Sequence, residues 1–215
     1  TWALIHPPHK RLVLLVTTVW RNFQRRLLLR EALSHCGRLL HRKEDSLAVH
    51  FLLGEVPEHL AQQAAQEVSE NEDMLLLNSP DEFSYSHIGD AYELSKPNPE
   101  LVKIVLALRL LLRTVRFDYV MVADDDSFVS LPNLMELLYL IPKERVYIGN
   151  MIDSVPQRWD KKKQKLAAEY SVNLYLHTPS KVPIFAHGMG FLLSHDVAKL
   201  LGEMGLKLKM KGNDD

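Results

Sequence analysis

Cysteine is almost absent from this sequence of 215 residues, which contains only Cys36. An internal disulfide is therefore excluded, and cysteine usage gives no support for an oxidising compartment. Long apolar runs are also missing. The longest early run, Leu12 to Val16, is too short to span a bilayer. No Asn-x-Ser/Thr sequence without proline occurs and no signal peptide is recognisable.

The sequence also lacks a strong net charge. It has 26 Lys and Arg against 27 Asp and Glu, a net charge of -1, so bulk electrostatics do not point to nucleic acid. The distribution is less even, because residues 1–43 carry nine Lys or Arg and one acid, whereas residues 44–100 carry thirteen acids and one Lys. The basic block is interpreted either as an anion-binding edge or as a solvated basic helix surface, and charge alone does not separate these two interpretations.

The sequence also has no phosphate-binding loop of the form G-x-x-x-x-G-K-[ST]. The absence of this loop excludes a P-loop nucleotide hydrolase, although an apolar strand that ends in acids would suit one. The hydrophobic fraction of 47% and the charged fraction of 25% are typical of a soluble globular protein, and the length suits one large domain. Because the sequence begins at Thr1 without a methionine and stops abruptly at Asp215, we expect it to be part of a longer chain.

The most informative segment that is present is FDYVMVADDDSFV, residues 117–129. Its apolar, β-branched first half predicts a buried strand of a parallel sheet. The strand ends in Asp124, Asp125 and Asp126, which repel one another, and no basic neighbour in the sequence relieves them. Three carboxylates at the carboxyl end of a strand suit a hard divalent cation with bound phosphate. The alternative for this cluster is a solvated acidic turn.

Hydrophobic periodicity predicts an α/β fold with a mostly parallel central sheet. Strands are expected at 12–18, 47–54, 74–77, 119–122 and 145–149 and directly after Gly190, and helices at 23–36, 57–70, 100–116, 131–141 and 195–201. Gly37 and Gly202 are expected to follow the first and the last of these helices as their stops. Residues 1–11 are interpreted as a stem or tail, and 12–215 as one catalytic domain. Residues 78–99 and 151–180 are predicted to be long irregular segments, the second of them a flap or binding loop.

Ordered sequence blocks resemble the β-1,3-galactosyltransferase family, whose relatives include N-acetylglucosaminyltransferases and Fringe-type enzymes. The blocks run from Leu12 to Asp215 and read LVLLVTT with NFQRRLLLRE, HFLLG, VADDDSFVSLPNLMELL, VYIGN, GMGFLLS and the final NDD. The resemblance implies a nucleotide-diphosphosugar transferase fold of the GT-A type. It also implies Mn²⁺-dependent transfer from a UDP-sugar to a glycan, glycoprotein or glycolipid acceptor, with inversion. A Golgi location as a type II membrane protein would follow, with a membrane anchor outside this sequence and with no nucleic acid as partner.

The same resemblance implies roles for individual residues. Asp126 would be the direct metal ligand, and Asp124 and Asp125 would bind ribose or metal-bound water. Asp215 would be the catalytic base. The remaining expected donor-site residues are Arg26 and Arg30 at the nucleotide edge, Lys103, and Gly188 with Gly190 against the donor or acceptor.

The sequence departs from the family pattern at several positions. Ala32 and Leu33 stand where Thr-Trp is usual, Ala186 replaces a cysteine, and Asp214 replaces a glutamate. The family's later histidine ligand would lie beyond Asp215. These differences keep a second hypothesis open, namely a glycosyltransferase-like domain that binds a sugar or a partner protein without catalysis.

Overall fold

A nearly fully buried strand, β1 (His9–Thr17), lies inside a six-stranded sheet in the computed structural model, which describes residues 9–37, 46–81, 99–152 and 185–204. The consecutive side chains from Leu12 to Val16 are at most 3% exposed. Such a strand is covered on both faces, which explains why its sequence is continuously apolar rather than alternating.

The sheet is mostly parallel, as predicted. The other strands are β2 (Leu47–Leu53), β3 (Met74–Leu76), β4 (Arg116–Asp124), β5 (Tyr147–Ile152) and β6 (Phe185–Ser194). Their spatial order is β3-β2-β1-β4-β6-β5, and β6 is antiparallel to both of its neighbours. β1 and β4 pair in parallel with Thr17 opposite Asp124, so both strands end at the same sheet edge. That edge is where ligands bind in α/β folds.

Helices cover both faces of the sheet. They are α1 (Phe23–Gly37), α2 (Ala61–Glu70), α3 (Pro99–Thr114), α4 (Leu131–Leu140) and α5 (His195–Met204). Side chains of α3 and α5 pack with β1 and β4 in the largest core cluster, which includes Leu15, Leu108 and Ala198. On the other face, Leu33 of α1 and Leu131 of α4 pack against β1 and β2. The result is a three-layer α/β arrangement.

The structure moves some predicted boundaries. β1 begins at His9, so residues 9–11 belong to the sheet rather than to a stem. Gly37, predicted to follow α1, is its last residue, and Gly202 lies inside α5 rather than after it. At Gly202 a Cβ atom would approach the Leu112 methyl group to 2.9 Å, so this glycine permits the close packing of α5 on α3. Glycine alone does not reveal in sequence whether it ends a helix or contacts a neighbour.

Candidate active site at the carboxyl ends of β1 and β4

The three adjacent aspartates at the end of β4 have three different environments. The strand closes with a turn in which the Ser127 amide donates to the Asp124 carbonyl, and the Asp125 amide donates to the Thr17 carbonyl at 3.1 Å. The side chain of Asp125 is 7% exposed, whereas that of Asp126 is 65% exposed. The Asp125 carboxylate therefore lies in the protein interior, and the Asp126 carboxylate of the next residue lies in solvent.

Asp125 is held by three donors, two from the segment that joins β1 to α1 and one from the first turn of α1. The Thr18 hydroxyl, the Asn22 side-chain amide and the Arg25 guanidinium each donate to its carboxylate at 2.7 Å. Burial alone would raise the pKa of Asp125, but these hydrogen bonds and the charge of Arg25 outweigh it and lower the pKa. The carboxylate thus joins β4 to the β1–α1 connection, and its oxygens are already engaged by protein groups.

Arg25 corrects one expectation from the sequence, that no basic neighbour relieves the three acids. Its guanidinium contacts Asp125 and also approaches the Asp126 carboxylate to 3.8 Å. The hydrogen bond and the charge of Asp125 raise the pKa of Arg25. Part of the repulsion is therefore relieved by the protein itself, from a residue 100 positions away in sequence.

Asp124 is half-buried and accepts a hydrogen bond from the Thr17 hydroxyl at 2.8 Å. A further carboxyl group, Glu100 in the first turn of α3, lies beside it. Burial raises the pKa of Glu100, and the neighbouring charge of Asp124 and a hydrogen bond to it raise that pKa further. The sequence analysis did not identify Glu100 as a member of this acidic group.

Asp126 is the one aspartate of the motif that presents most of its carboxylate to solvent. Oxygen ligands suit Mg²⁺- and Mn²⁺-like cations, which one or two carboxylates and substrate phosphates commonly hold. Within the described ranges, no group of three His, Cys, Asp or Glu side chains is arranged to hold a metal ion. The residues therefore fit a cation that Asp126 anchors while bound phosphate and water complete its coordination. They do not form a closed protein cage.

Arg26 and Arg30 share one face of α1, as predicted, but both are committed to acidic residues. Arg26 is 0% exposed and binds Glu67 of α2 through two parallel hydrogen bonds of 2.8 and 2.6 Å. Arg30 binds the same Glu67 and also Asp73. The expectation that Arg26 borders a nucleotide is corrected here, because its guanidinium is enclosed by protein and does not reach the site surface.

Arg30 keeps some contact with solvent, at a distance from the acid motif in the fold. It borders an open pocket of about 360 Å³ on the face of β2, lined by Arg30, Leu33, Ser34, Val49, Phe51 and Asp73. Its guanidinium also lies 4.9 Å from the centre of the Phe51 ring. Two buried or half-buried acids already neutralise this arginine, so as a phosphate ligand it would first have to leave them.

Lys103 is buried near the acid motif, and its ammonium binds backbone carbonyls rather than pointing into a solvent-filled cleft. Its ammonium donates to the Thr18 carbonyl at 2.7 Å and to the Asp81 carbonyl at 2.8 Å, and lies 3.7 Å from the Asp81 carboxylate. Burial lowers the pKa of Lys103, while the nearby charges of Asp81 and Glu100 raise it in part. Lys103 therefore lies beside the acid motif, where its ammonium holds two backbone carbonyls of the protein.

The glycines of β6 lie beside the same sheet edge. Gly190 pairs with Ala123, the residue before the acid motif, and a Cβ atom there would meet the Met121 methyl group at 3.1 Å. Its lack of a side chain therefore lets β6 approach β4 closely. Gly188 lies two positions earlier in β6. Asp215, the predicted base, lies outside the described residues.

Several residues at this edge were not identified from the sequence as site residues: Thr17, Thr18, Asn22, Arg25, Asp81 and Glu100. One signal could have found the first four. If β1 and β4 are neighbouring parallel strands, the residues that follow β1 must face those that follow β4. Asp81 and Glu100 lie before and after residues 82–98, and the sequence gives no comparable signal for them.

This α/β domain has acids at the carboxyl end of a central parallel strand and an antiparallel strand, β6, on one side of the sheet. It has the architecture of a GT-A type glycosyltransferase. A family model described as Galactosyltransferase matches residues 24–215, and the chain belongs to this family. Family membership, and the fold that it implies, confirm the resemblance deduced from the sequence blocks.

Curated relatives support the same assignment. The chain is 26% identical over 223 aligned residues to proteins named Beta-1,3-galactosyltransferase 1 from Mus musculus, Gorilla gorilla gorilla and Homo sapiens. The match covers 99% of this chain but only 61% of each relative. The chain thus spans less than two thirds of the length of these relatives. In the part of the chain that the structure describes, no helix has the length and apolar character needed to cross a membrane.

Proposed function

We propose that the protein transfers a hexose, galactose or N-acetylglucosamine, from a UDP-sugar to a hydroxyl group of an acceptor glycan, with Mn²⁺ as cofactor. The transfer would invert the anomeric carbon and form a β-1,3 linkage. The observation that carries this proposal is Asp126, a solvent-facing carboxylate at the carboxyl end of β4, next to two carboxylates that the protein already engages.

The roles of the residues follow from their environments. Bound Mn²⁺ would supply Lewis-acid stabilisation of the charge that develops on the departing diphosphate. Asp126 would anchor the cation. Asp124, which Thr17 and Glu100 contact, would face a ribose hydroxyl or a water molecule, while Asp125 holds the β1–α1 connection in place. Arg25, half-exposed and close to Asp126, is placed to contribute positive charge to a bound diphosphate.

The acceptor hydroxyl must lose a proton as it attacks the sugar, and a carboxylate is a suitable base. We assign this role to Asp215, on the family resemblance of the final NDD block alone. The location that goes with this function is the Golgi lumen, with anchoring by a membrane segment outside the chain described here. Both statements are parts of the proposal and need their own tests.

The cation site can be tested with Asp126→Asn, which removes the charge and keeps the shape. UDP affinity in the presence of Mn²⁺, measured by isothermal titration on the longest available form of the protein, should fall by more than tenfold. Glu203→Gln is the matched control, because Glu203 is also an exposed carboxylate and contacts Lys199 at 3.9 Å on the surface of α5. Unchanged Mn²⁺-dependent UDP affinity in Asp126→Asn would contradict the metal assignment.

Turnover separates the transferase from a non-catalytic binding domain. UDP release should be measured with UDP-galactose, UDP-N-acetylglucosamine, UDP-glucose and UDP-N-acetylgalactosamine in the presence of Mn²⁺. The proposal expects one of the first two donors to be consumed. Mn²⁺-dependent UDP binding with no turnover on any donor and acceptor would favour the binding domain instead.

A further inference from the structure

Three consecutive backbone carbonyls after β1 each accept a hydrogen bond from a buried cationic side chain. Lys103 donates to the Thr18 carbonyl at 2.7 Å. Arg26 donates to the Val19 carbonyl at 2.6 Å and to the Trp20 carbonyl at 3.2 Å. Lys103 is 2% exposed and Arg26 is 0% exposed. Two charges are thus enclosed in the protein to hold one three-residue segment, Thr18–Trp20.

These cations are fixed in turn by acids on other elements. Glu67 of α2 binds Arg26, and the Asp81 carboxylate lies 3.7 Å from Lys103. Asp81 also accepts the Trp20 amide at 2.7 Å and the Gly54 amide at 2.8 Å. A buried charge that loses a partner is strongly unfavourable, so the segment cannot shift without a large free-energy cost. The segment is therefore rigid for an identifiable electrostatic reason.

The other side of the same segment contacts the acid motif. The Thr18 hydroxyl donates to Asp125 at 2.7 Å, and the preceding Thr17 hydroxyl donates to Asp124 at 2.8 Å. The Arg26 guanidinium also lies 3.4 Å from the Thr18 hydroxyl oxygen, so one arginine contacts both the backbone and the side chain of this connection. A displacement of the segment would change the positions of both carboxylates.

We propose that Arg26 and Lys103 are positioning residues, which hold the segment Thr18–Trp20 so that Asp124, Asp125 and Asp126 are already arranged for cation and donor before either binds. They act through the segment and do not touch the donor. This inference rests on the proposed function, since it concerns the same site. It assigns to two residues expected at the nucleotide a different task, preorganisation of the residues that meet it.

A role in fold stability alone makes a different prediction from a positioning role. A residue that only stabilises the fold changes the unfolding midpoint and leaves the UDP affinity of the folded protein unaltered. A positioning residue changes both, because the carboxylates of the folded variant are no longer held in the arrangement that binds. The experiment must therefore compare two variants with similar chemistry at different ends of the sheet.

Arg26→Lys is the informative variant, since lysine keeps the charge beside Glu67 but cannot hold two carbonyls and a carboxylate together. Arg11→Lys is its control. Arg11 likewise donates to a backbone carbonyl, that of Leu138 at 2.9 Å, and lies 3.7 Å from the centre of the Tyr139 ring, at the opposite end of β1. UDP affinity with saturating Mn²⁺ and the urea unfolding midpoint should be measured for both variants on the same form of the protein.

We expect UDP affinity to fall by about tenfold in Arg26→Lys and by less than about twofold in Arg11→Lys. Thr18→Val should also weaken UDP binding, Thr18→Ser should restore most of it, and the double variant Arg26→Lys/Thr18→Val should lose less than the two single losses combined. If Arg26→Lys does not fold, the Thr18 pair carries the test, because the proposed effect passes through that hydroxyl.

The outcomes separate the two proposals. If the wild-type protein shows no Mn²⁺-dependent UDP binding, the proposed function fails. If the wild type binds UDP and Arg26→Lys or Thr18→Val binds it equally well, the positioning role is overturned while the proposed function stands. Equal losses of affinity in Arg26→Lys and Arg11→Lys would also overturn it, because such losses would report a general effect on the fold.

Discussion

The two ends of β4 both carry aspartates paired with basic residues, but the pairs are built differently. At the amino end, Asp118 contacts His9 and Lys143, each at 3.1 Å, and these two partners are 56% and 66% exposed. At the carboxyl end, Asp125 is held by three donors at 2.7 Å, one of them from α1. The other two belong to the β1–α1 connection, whose carbonyls are bound by buried cations. One end is a surface ion pair, and the other is a continuous polar network.

This difference separates two uses of charge in one domain. Exposed ion pairs contribute about 0–1 kcal/mol because solvent screens them and long side chains lose entropy. Buried charges gain little net stability over apolar packing, yet breaking one partner is costly. A network that is expensive to break but not especially stabilising serves geometry rather than stability. It lies where the candidate active site lies, at the carboxyl ends of β1 and β4.

The largest effect should come from the centre of the buried network. Glu67→Gln removes the charge that faces Arg26 and Arg30, and it leaves Arg26 with a neutral partner and Arg30 with Asp73 alone. We expect the free energy of unfolding to fall by about 3–5 kcal/mol, measured by urea denaturation. The double variant Arg26→Met/Glu67→Leu should recover much of this loss, since it leaves no unpaired charge at that position. If Glu67→Gln lowers the free energy of unfolding by less than about 1 kcal/mol, the buried network does not differ from the exposed ion pairs at the amino end of β4.

A backbone contact in the same network should give the next largest effect. A Cβ atom at Gly54 would lie 2.5 Å from the Asp81 Cα and 2.6 Å from the Ser79 carbonyl, so Gly54→Ala must displace the chain that carries Asp81. We expect a loss of about 1–3 kcal/mol in the free energy of unfolding. Gly37→Ala is the control, because no described residue has an atom within 4 Å of a Cβ atom there. Similar unfolding midpoints for the two variants would show that the close approach is not needed.

Acid should act on the buried network in the same direction, more weakly than substitution, because the lowered pKa of Glu67 keeps part of its population ionised in moderate acid. Burial alone would raise the pKa of Glu67, but the hydrogen bonds and charges of Arg26 and Arg30 lower it. Its stabilisation is therefore complete above the unfolded pKa of about 4.3 and is lost as the pH falls through the lower folded-state pKa.

The measurement is the urea midpoint near neutral pH and at about pH 3, for the wild type and for Arg26→Met/Glu67→Leu. The double variant should lose less stability on acidification than the wild type does. Equal losses in the two proteins would place the acid-sensitive groups elsewhere.

The smallest effect is expected at the amino end of β4. Asp118→Asn should lower the free energy of unfolding by less than about 1 kcal/mol, and added salt should reduce the difference from the wild type. The pKa of Asp118 is lowered by hydrogen bonds from His9 and Lys143 against the effect of burial, so the small contribution is present above its unfolded pKa and is lost in acid. If Asp118→Asn lowers the free energy of unfolding as much as Glu67→Gln does, the amino and carboxyl ends of β4 do not differ in this respect.

Much of the fold could be predicted because it depends on local signals. The continuous apolar run of β1, the periodicity of the helices and the turn after β4 correspond to strand, helix and loop in the structure. The family blocks supplied the architecture and the acid motif. Gly202 was wrong as a helix stop, because it lies inside α5 at the close contact with α3. Gly37 ends α1 as its last residue rather than as the residue after it.

The candidate site was predicted less completely, for a physical reason. The family resemblance singled out Asp126 as the expected metal ligand, and the structure shows its side chain to be 65% exposed. The burial of Arg26 could not be foreseen, since an arginine on a helix face has the same local sequence whether it meets solvent or a buried Glu67. Nor could the contact between Arg25 and Asp125, which joins residues 100 positions apart.

The sequence by itself therefore determined the α/β class, the family and the presence of three carboxylates after a buried strand, because these depend on residue type, order and short-range periodicity. Only the tertiary structure decided which carboxylate faces solvent, which arginine is enclosed and which carbonyls the buried cations hold. Those properties depend on the parallel pairing of β1 with β4, which brings Thr17 opposite Asp124, and on the packing of α2 and α3 around the connection between them.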